Sequence, residues 1–108
     1  MQYIITALKS EAKPIIDYYG LEFSGLSNFP IYKNDNFTLL ITGVGRKNVS
    51  KILNLFFQEN KVKKNHIINI GISGGKKGDC SIGQLFLINK VYDEKSKLSF
   101  NLISQHSF

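Results

Sequence analysis

A carboxylate stands early in the chain, at a point where a strand gives way to a helix. Glu11 follows residues 2–7, whose β-branched and aromatic content predicts a buried strand, and it opens a helical pattern. The helix dipole favours a carboxylate there, and a positioned carboxylate can take a proton from an attacking water molecule. The alternative is a purely structural glutamate, which would stabilise the start of the helix by under about 1 kcal/mol.

Two glycine-rich turns follow two further predicted strands. Gly43-Val44-Gly45 ends the strand over residues 37–42, and the run from Asn69 to Gly75 ends the strand over 66–70. Glycines permit positive φ and a close approach of backbone to a ligand. Because ligands of α/β sheets bind beyond the carboxyl ends of strands, we expect the chemistry near residues 7–11, 42–46 and 69–75. Each turn alone is also explained as an ordinary chain reversal.

The elements that must hold these groups can be traced along the chain. Ser10 fits an N-cap and Gly20 a stop for a helix over about 10–19, and apolar spacing predicts a second helix over about 47–59. The order β-α-β-β-α-β-β predicts an α/β fold, and the length of 108 residues is enough for one small domain. The remaining predicted segments are short strands and turns over 21–36, a polar connector over 60–65, a long strand over 83–93 and a polar tail from Glu94.

Composition excludes several classes of protein. The net charge of +6 comes from scattered lysines with a single arginine, Arg46, which favours a solvated surface over a nucleic-acid interface. The first residues do not have the pattern of a signal peptide, and no apolar run is long enough for a membrane span. The lone Cys80 fits a reducing compartment, so we expect a cytoplasmic protein. His66 and His106 have no metal-ligand spacing, and no metal site is predicted.

Three segments in order carry a resemblance to a known family. ITALKSEAKP, ITGVGRKNVSK and IINIGISGG followed by IGQLFLINKVYD resemble the amino-terminal half of the nucleoside phosphorylase/nucleosidase superfamily, closest to the 5′-methylthioadenosine/S-adenosylhomocysteine nucleosidases. The resemblance covers nearly all 108 residues but about half of a family domain. It implies a three-layer phosphorylase/hydrolase-like fold with a central mixed sheet, incomplete in this chain.

The resemblance also implies roles for individual residues. Glu11 matches the glutamate that activates the hydrolytic water, and Val44 matches a residue near the sugar and its 5′ substituent. The third segment carries the base and ribose in the family, so Ile72, Ser73 and Gly74 become candidate substrate-binding residues. Gly74 matches the binding glycine, whereas Ile72 replaces a small residue and Ser73 an alanine. Arg46 stands where a lysine is common, and a surface role is expected for it.

The resemblance also favours hydrolysis over phosphorolysis. Phosphorolysis needs cations on the phosphate, and the hexameric phosphorylases carry an arginine and a serine where this chain has Asn69 and Ile72. The leading prediction is therefore hydrolysis of the N-glycosidic bond of a purine nucleoside, without a cofactor. The alternatives are a phosphorylase that uses phosphate and a non-catalytic nucleoside-binding or oligomerising half-domain.

Two requirements of the family have no match in this sequence. They are a Met-Glu pair that holds the ribose hydroxyls and an aspartate that protonates the leaving base, and nothing in residues 94–108 corresponds to either. We therefore expect the chain alone to be an incomplete, inactive part of the enzyme, and by resemblance a homodimer. The leaving base and the 5′ substituent stay open.

Overall fold

The computed structural model describes residues 1–24, 30–59 and 67–101. These residues divide into two compact units, Met1–Ser73 and Gly74–Phe108. The connector predicted at 60–65 lies outside the described residues, as do His66, His106 and the last part of the predicted polar tail, residues 102–108. That residues 1–108 are the amino-terminal part of a single nucleosidase/phosphorylase-like domain stays a prediction.

The first unit contains five strands and two helices among its described residues. In chain order they are β1 (Gln2–Thr6), α1 (Lys9–Tyr19), β2 (Glu22–Phe23), β3 (Ile31–Lys33), β4 (Phe37–Ile41), α2 (Arg46–Glu59) and β5 (Ile67–Asn69). The predicted helices over about 10–19 and 47–59 are confirmed, and so are the predicted strands over 2–7, 37–42 and 66–70. Their ends differ by about one residue, as helix and strand ends commonly do.

The strands form one mixed sheet in the order β2-β3-β4-β1-β5. Strand β1 is parallel to both of its neighbours, with Thr6 opposite Ile41 of β4 and Ile5 opposite Asn69 of β5. Strand β3 is antiparallel to both of its neighbours, β2 and β4. The carboxyl ends of β1, β4 and β5 therefore meet at one edge of the sheet, as the positions of the glycine-rich turns predict.

One helix packs against each face of this sheet. Side chains alternate along a strand, so Leu39 and Ile41 of β4 pack with Ala12 of α1, while Leu40 between them packs with Phe56 of α2. Burying a large apolar side chain stabilises the fold by about 1.5–3 kcal/mol. The described residues thus form a mixed α/β fold with a mixed five-stranded sheet and two helices, which confirms the predicted fold class at this level.

Helix α1 begins before its predicted cap. Leu8 has extended backbone angles (φ −119°, ψ 148°) and occupies the N-cap, so the prediction of Ser10 as the N-cap is wrong. The physical reason is that Glu11 supplies the side-chain oxygen that accepts an N–H at the helix start. At the other end Gly20 is left-handed, with φ 64°, and the Leu21 N–H donates to the Ile16 carbonyl at 3.0 Å, which confirms the predicted stop.

The second unit contains a hairpin of β6 (Lys90–Asp93) and β7 (Leu98–Asn101). The prediction of one strand over 83–93 is wrong for residues 83–89, which form no strand, and β7 lies in the segment predicted only as a polar tail. The Asp93 carboxylate accepts the Lys95 N–H at 3.1 Å and the Ser96 hydroxyl at 2.9 Å, which turns the chain after β6. Pairing with β7, rather than apolar content, therefore sets the extent of β6.

Candidate functional site

The carboxylate of Glu11 connects the ends of two neighbouring strands. Its Oε1 accepts the backbone N–H of Leu8 at 2.9 Å, and its Oε2 accepts the backbone N–H of Ile72 at 2.9 Å. Leu8 follows β1 and Ile72 follows β5, and Glu11 itself is half-buried. Hydrogen bonds to a charged acceptor are stronger than those between neutral groups. The two bonds therefore hold this carboxylate at the carboxyl edge of the sheet.

The first of these bonds follows from the position of Glu11 in α1. Glu11 is the third residue of the helix, from which a glutamate can reach back to the N–H of the N-cap residue. The apolar side chain of Leu8 cannot accept a bond in return, so only half of a capping box is formed. The positive end of the helix dipole also favours the carboxylate. Local sequence thus explains one of the two contacts.

The second bond depends on the pairing of β5 with β1. Ile5 lies opposite Asn69, and the Ile70 N–H donates to the Ile5 carbonyl at 2.9 Å, which continues the pairing past the end of β5. This pairing brings Ile72, two residues after Ile70, next to Glu11, although the two residues are 61 positions apart in the sequence. A contact of this range is set by tertiary structure, which no local pattern contains.

Gly71 leaves space next to the same carboxylate. A Cβ built on Gly71 would lie 3.4 Å from Glu11 Oε2, an ordinary van der Waals contact, and it would meet no other atom within 4 Å among the described residues. The backbone at this position therefore lies close to the carboxylate, and the absence of a side chain keeps that approach open. Sequence reasoning singled out Ile72 to Gly74 but assigned no role to Gly71.

The turn between β4 and α2 lies at the same edge of the sheet. The Thr42 N–H donates to the Thr6 carbonyl at 2.8 Å, and the Gly43 N–H donates to the Ala7 carbonyl at 3.0 Å. Gly43 and Gly45 have positive φ, 77° and 98°, a conformation that explains why glycine occupies both positions. Two of the three predicted segments, 7–11 and 42–46, are thus joined by the hydrogen bond between Gly43 and Ala7.

The predicted site residues are brought together only in part. Glu11 and Ile72 are in direct contact through the Ile72 N–H, and the Ile72 side chain is 82% exposed. The Val44 side chain is 65% exposed at the turn before α2, and Ser73 is exposed at the end of the first unit. Gly74 begins the second unit. The substrate-binding roles of Val44, Ile72, Ser73 and Gly74 stay predictions.

The structure adds one buried polar group at this edge. The Thr6 side chain is fully buried at the end of β1, and its hydroxyl has no hydrogen-bond partner among the described residues. The Thr42 hydroxyl, also buried, bonds to the Thr6 and Gly43 carbonyls at 3.3 Å and 3.0 Å. Threonines at the ends of two predicted buried strands were the available sequence signal for this pair.

Within residues 1–24, 30–59 and 67–101, no group of three or more His, Cys, Asp or Glu side chains could hold a metal ion. Among the helices in those same ranges, none is both long enough and apolar enough to cross a membrane.

Comparisons of the chain with protein-family models, with curated proteins and with solved structures found no match.

Proposed function

We propose that this chain carries the water-activating part of a purine nucleoside N-glycosidase of the methylthioadenosine/adenosylhomocysteine type. The observation that supports the proposal is the half-buried Glu11 carboxylate, fixed by the backbone of Leu8 and Ile72 where three parallel strands end. The proposal includes a phosphorylase/hydrolase-like fold and a homodimer, which rest on the family resemblance, and a cytoplasmic location, which rests on the lone Cys80 and the apolar pattern of the sequence.

The hydrogen bonds of Glu11 leave acceptor capacity for a water molecule. A carboxylate has about four lone-pair sites on its two oxygens. One backbone N–H reaches each oxygen, so each retains a further site for a donor. The two anchoring bonds fix the direction of these free sites, which is what a positioned general base requires. A nucleophilic water molecule bound there would donate one of its hydrogens to Glu11.

The proposed reaction is a substitution at the anomeric carbon of the sugar. The water oxygen forms a bond to that carbon, and the water proton passes to the Glu11 carboxylate. The carbon–nitrogen bond to the purine breaks, its electron pair leaves with the base, and a general acid protonates the base. By resemblance that acid is an aspartate with no match in residues 94–108. The products are the free purine and the sugar.

Electrostatics favours water over phosphate as the acceptor. Two like unit charges about 4 Å apart repel by about 4 kcal/mol at the effective dielectric constant of a protein surface. A phosphate beside Glu11 would meet this repulsion, and the N–H groups of Leu8 and Ile72 already donate to the carboxylate. Water is neutral and can donate to the carboxylate directly. The geometry around Glu11 therefore supports a hydrolase rather than a phosphorylase.

The test measures adenine release from methylthioadenosine in phosphate-free buffer, with the protein expressed from its complete reading frame. We expect turnover without phosphate and a loss of about 10²–10⁴-fold in kcat for Glu11→Gln, because an amide cannot take the proton. Glu22→Gln on β2 is the matched control, since it removes an exposed carboxylate outside the site.

Three outcomes would contradict the proposal. Strict dependence on added phosphate would establish the phosphorylase alternative. Binding of the nucleoside with a raised melting temperature but no turnover would establish the non-catalytic binding domain. Equal activity of Glu11→Gln and Glu22→Gln would show that Glu11 only supports the helix start.

A further inference from the structure

The chain segment over residues 71–75 is bonded to the first unit by a side chain rather than by the backbone. The pairing of β5 with β1 ends at Ile70, whose N–H donates to the Ile5 carbonyl at 2.9 Å. All residues of the segment are exposed. In the described part of the chain, the bond from the Ile72 N–H to Glu11 Oε2 is the only hydrogen bond that the segment makes. This bond therefore holds the chain just before the second unit begins at Gly74.

The strength of this bond depends on the charge of Glu11. A hydrogen bond to an ionised carboxylate is roughly twice as strong as one between neutral groups. A carboxylate offers acceptor sites alone, whereas a protonated carboxyl carries one O–H donor and fewer acceptor sites. Proton uptake by Glu11 therefore weakens the bond to Ile72. Because the segment is exposed and makes no second hydrogen bond among the described residues, little then opposes its local opening.

Glu11 is the only acidic group that the described residues of the first unit place at this edge of the sheet. Strands β1, β4 and β5 and the loops that follow them, up to residue 75, contain a single ionisable side chain, Tyr3, whose ring packs on the α2 face. The other charged side chains of α1 are Lys9, Lys13 and Asp17, and the last two pair with each other at 2.9 Å. The proton that controls the bond to Ile72 is therefore the one on Glu11 itself.

We propose that Glu11 couples proton uptake to the release of residues 71–75 from the first unit. As a carboxylate Glu11 holds the Ile72 N–H, and as a neutral acid it lets the segment open. The one covalent change is the O–H bond formed on the carboxylate, which is restored when that proton passes to bulk water. The proposed hydrolysis delivers one proton to Glu11 in each turnover, so the segment opens once the bond to the purine has broken. This link to turnover rests on the proposed function, whereas the coupling itself does not.

Two amides close together in the chain allow this coupling to be measured. The Ile70 N–H donates to a backbone carbonyl, which does not titrate, and the Ile72 N–H donates to the carboxylate. Site-resolved hydrogen exchange by NMR, on the protein expressed from its complete reading frame, gives a protection factor for each amide after correction for the intrinsic effect of pH. The ratio of the two protection factors separates loss of the Glu11 bond from a general loosening of β5.

We expect the protection of Ile72 to fall roughly tenfold relative to that of Ile70 between about pH 7 and about pH 3, a range that spans the usual titration of protein carboxyl groups. Glu11→Gln makes the side chain permanently neutral, so it should show the lower ratio already at about pH 7 and no further change at low pH. Glu22→Gln removes an exposed carboxylate on β2 and should behave as the wild type. Thermal unfolding checks that both variants fold.

The coupling and the proposed function can fail separately. A wild-type ratio that is the same at both pH values overturns the coupling, including when both amides lose protection together, because β5 rather than the carboxylate then controls the segment. Equal ratios in the wild type and Glu11→Gln at about pH 7 also overturn it. Either result leaves the proposed function standing if the protein cleaves methylthioadenosine. A proton-dependent ratio in a protein that cleaves no nucleoside upholds the coupling and overturns the proposed function.

Discussion

The two turns that lead from a parallel strand into a helix are built in different ways. Before α1, the Glu11 side chain holds the turn by accepting N–H groups from its own helix start and from the neighbouring loop. Before α2, the turn has two glycines with positive φ, 77° and 98°, and its first helical turn contains no acidic residue. The same edge of the sheet thus presents one turn fixed by a charged side chain and one fixed by backbone conformation.

This difference indicates why only the first turn is a candidate for chemistry. A side chain that reaches across two strand ends brings a proton acceptor to a defined position, while a glycine turn brings only backbone groups and space. The turn before α2 has its own use in the proposal, because Val44 between its glycines is exposed at this edge. Three changes test how far the comparison holds.

Removing the carboxylate of the first turn should have the largest effect on stability. Glu11→Ala loses the bond to Leu8 within the α1 start and the bond to Ile72 in the loop after β5, and we expect the free energy of unfolding to fall by about 2 kcal/mol. Chemical denaturation monitored by circular dichroism measures this. Glu22→Ala is the control at an exposed carboxylate. If both variants unfold at the same denaturant concentration, the carboxylate contributes nothing to the first turn.

A side chain in the second turn should have an intermediate effect. Gly45→Ala places a Cβ on a backbone with φ 98°, and because no atom lies within 4 Å of that Cβ, backbone strain is the cause that the substitution isolates. We expect a loss of about 1 kcal/mol in the free energy of unfolding. Gly74→Ala is the comparison, since that glycine also has open space but no positive φ. Equal stability of the two variants would contradict the backbone account of this turn.

Introducing a carboxylate at the third residue of α2 should have the smallest effect on the free energy of unfolding. Asn48 is the third residue of α2, the position that Glu11 occupies in α1, and its amide donates to the Val44 carbonyl at 3.2 Å. Asn48→Glu would add a favourable dipole interaction and lose that bond, so we expect a net gain of about 0.5 kcal/mol. Asn48→Gln separates charge from length in the same denaturation assay. A loss of stability in Asn48→Glu would show that the two helix starts are not equivalent.

The sequence predicts the elements of this fold better than their connections. The apolar runs of β1 and β4 and the helical spacing of α2 are local patterns, and the structure contains all three. The segment over 83–89 has similar apolar content but forms no strand, because a strand also needs a partner that supplies hydrogen bonds. Strand β7 was missed for the matching reason, since its pairing with β6 is visible only once both are in place.

In the candidate site, too, the sequence predicts the local features but not the tertiary contacts. Glu11 could be selected from sequence because its type and its place at a helix start are local facts, although Ser10 was wrongly preferred as the cap. The bond to Ile72 and the space at Gly71 could not be predicted, since both depend on β5 lying beside β1. The unpartnered hydroxyl of Thr6 is likewise a property of burial, which the residue type alone does not give.

The side-chain amide of Asn34, between β3 and β4, makes three hydrogen bonds at the edge of the sheet opposite the candidate site. Its Nδ2 donates to the Tyr19 carbonyl at the end of α1, and its Oδ1 accepts the N–H groups of Asn36 and Phe37. Hydrolysis of this side-chain amide during prolonged storage adds water, releases ammonia and leaves a carboxylate, which would place an acceptor oxygen where the donor faced the Tyr19 carbonyl. Chemical ageing at this one position would therefore remove the hydrogen bond that ties the last turn of α1 to the chain before β4 and leave the Tyr19–Phe37 ring contact to hold them together.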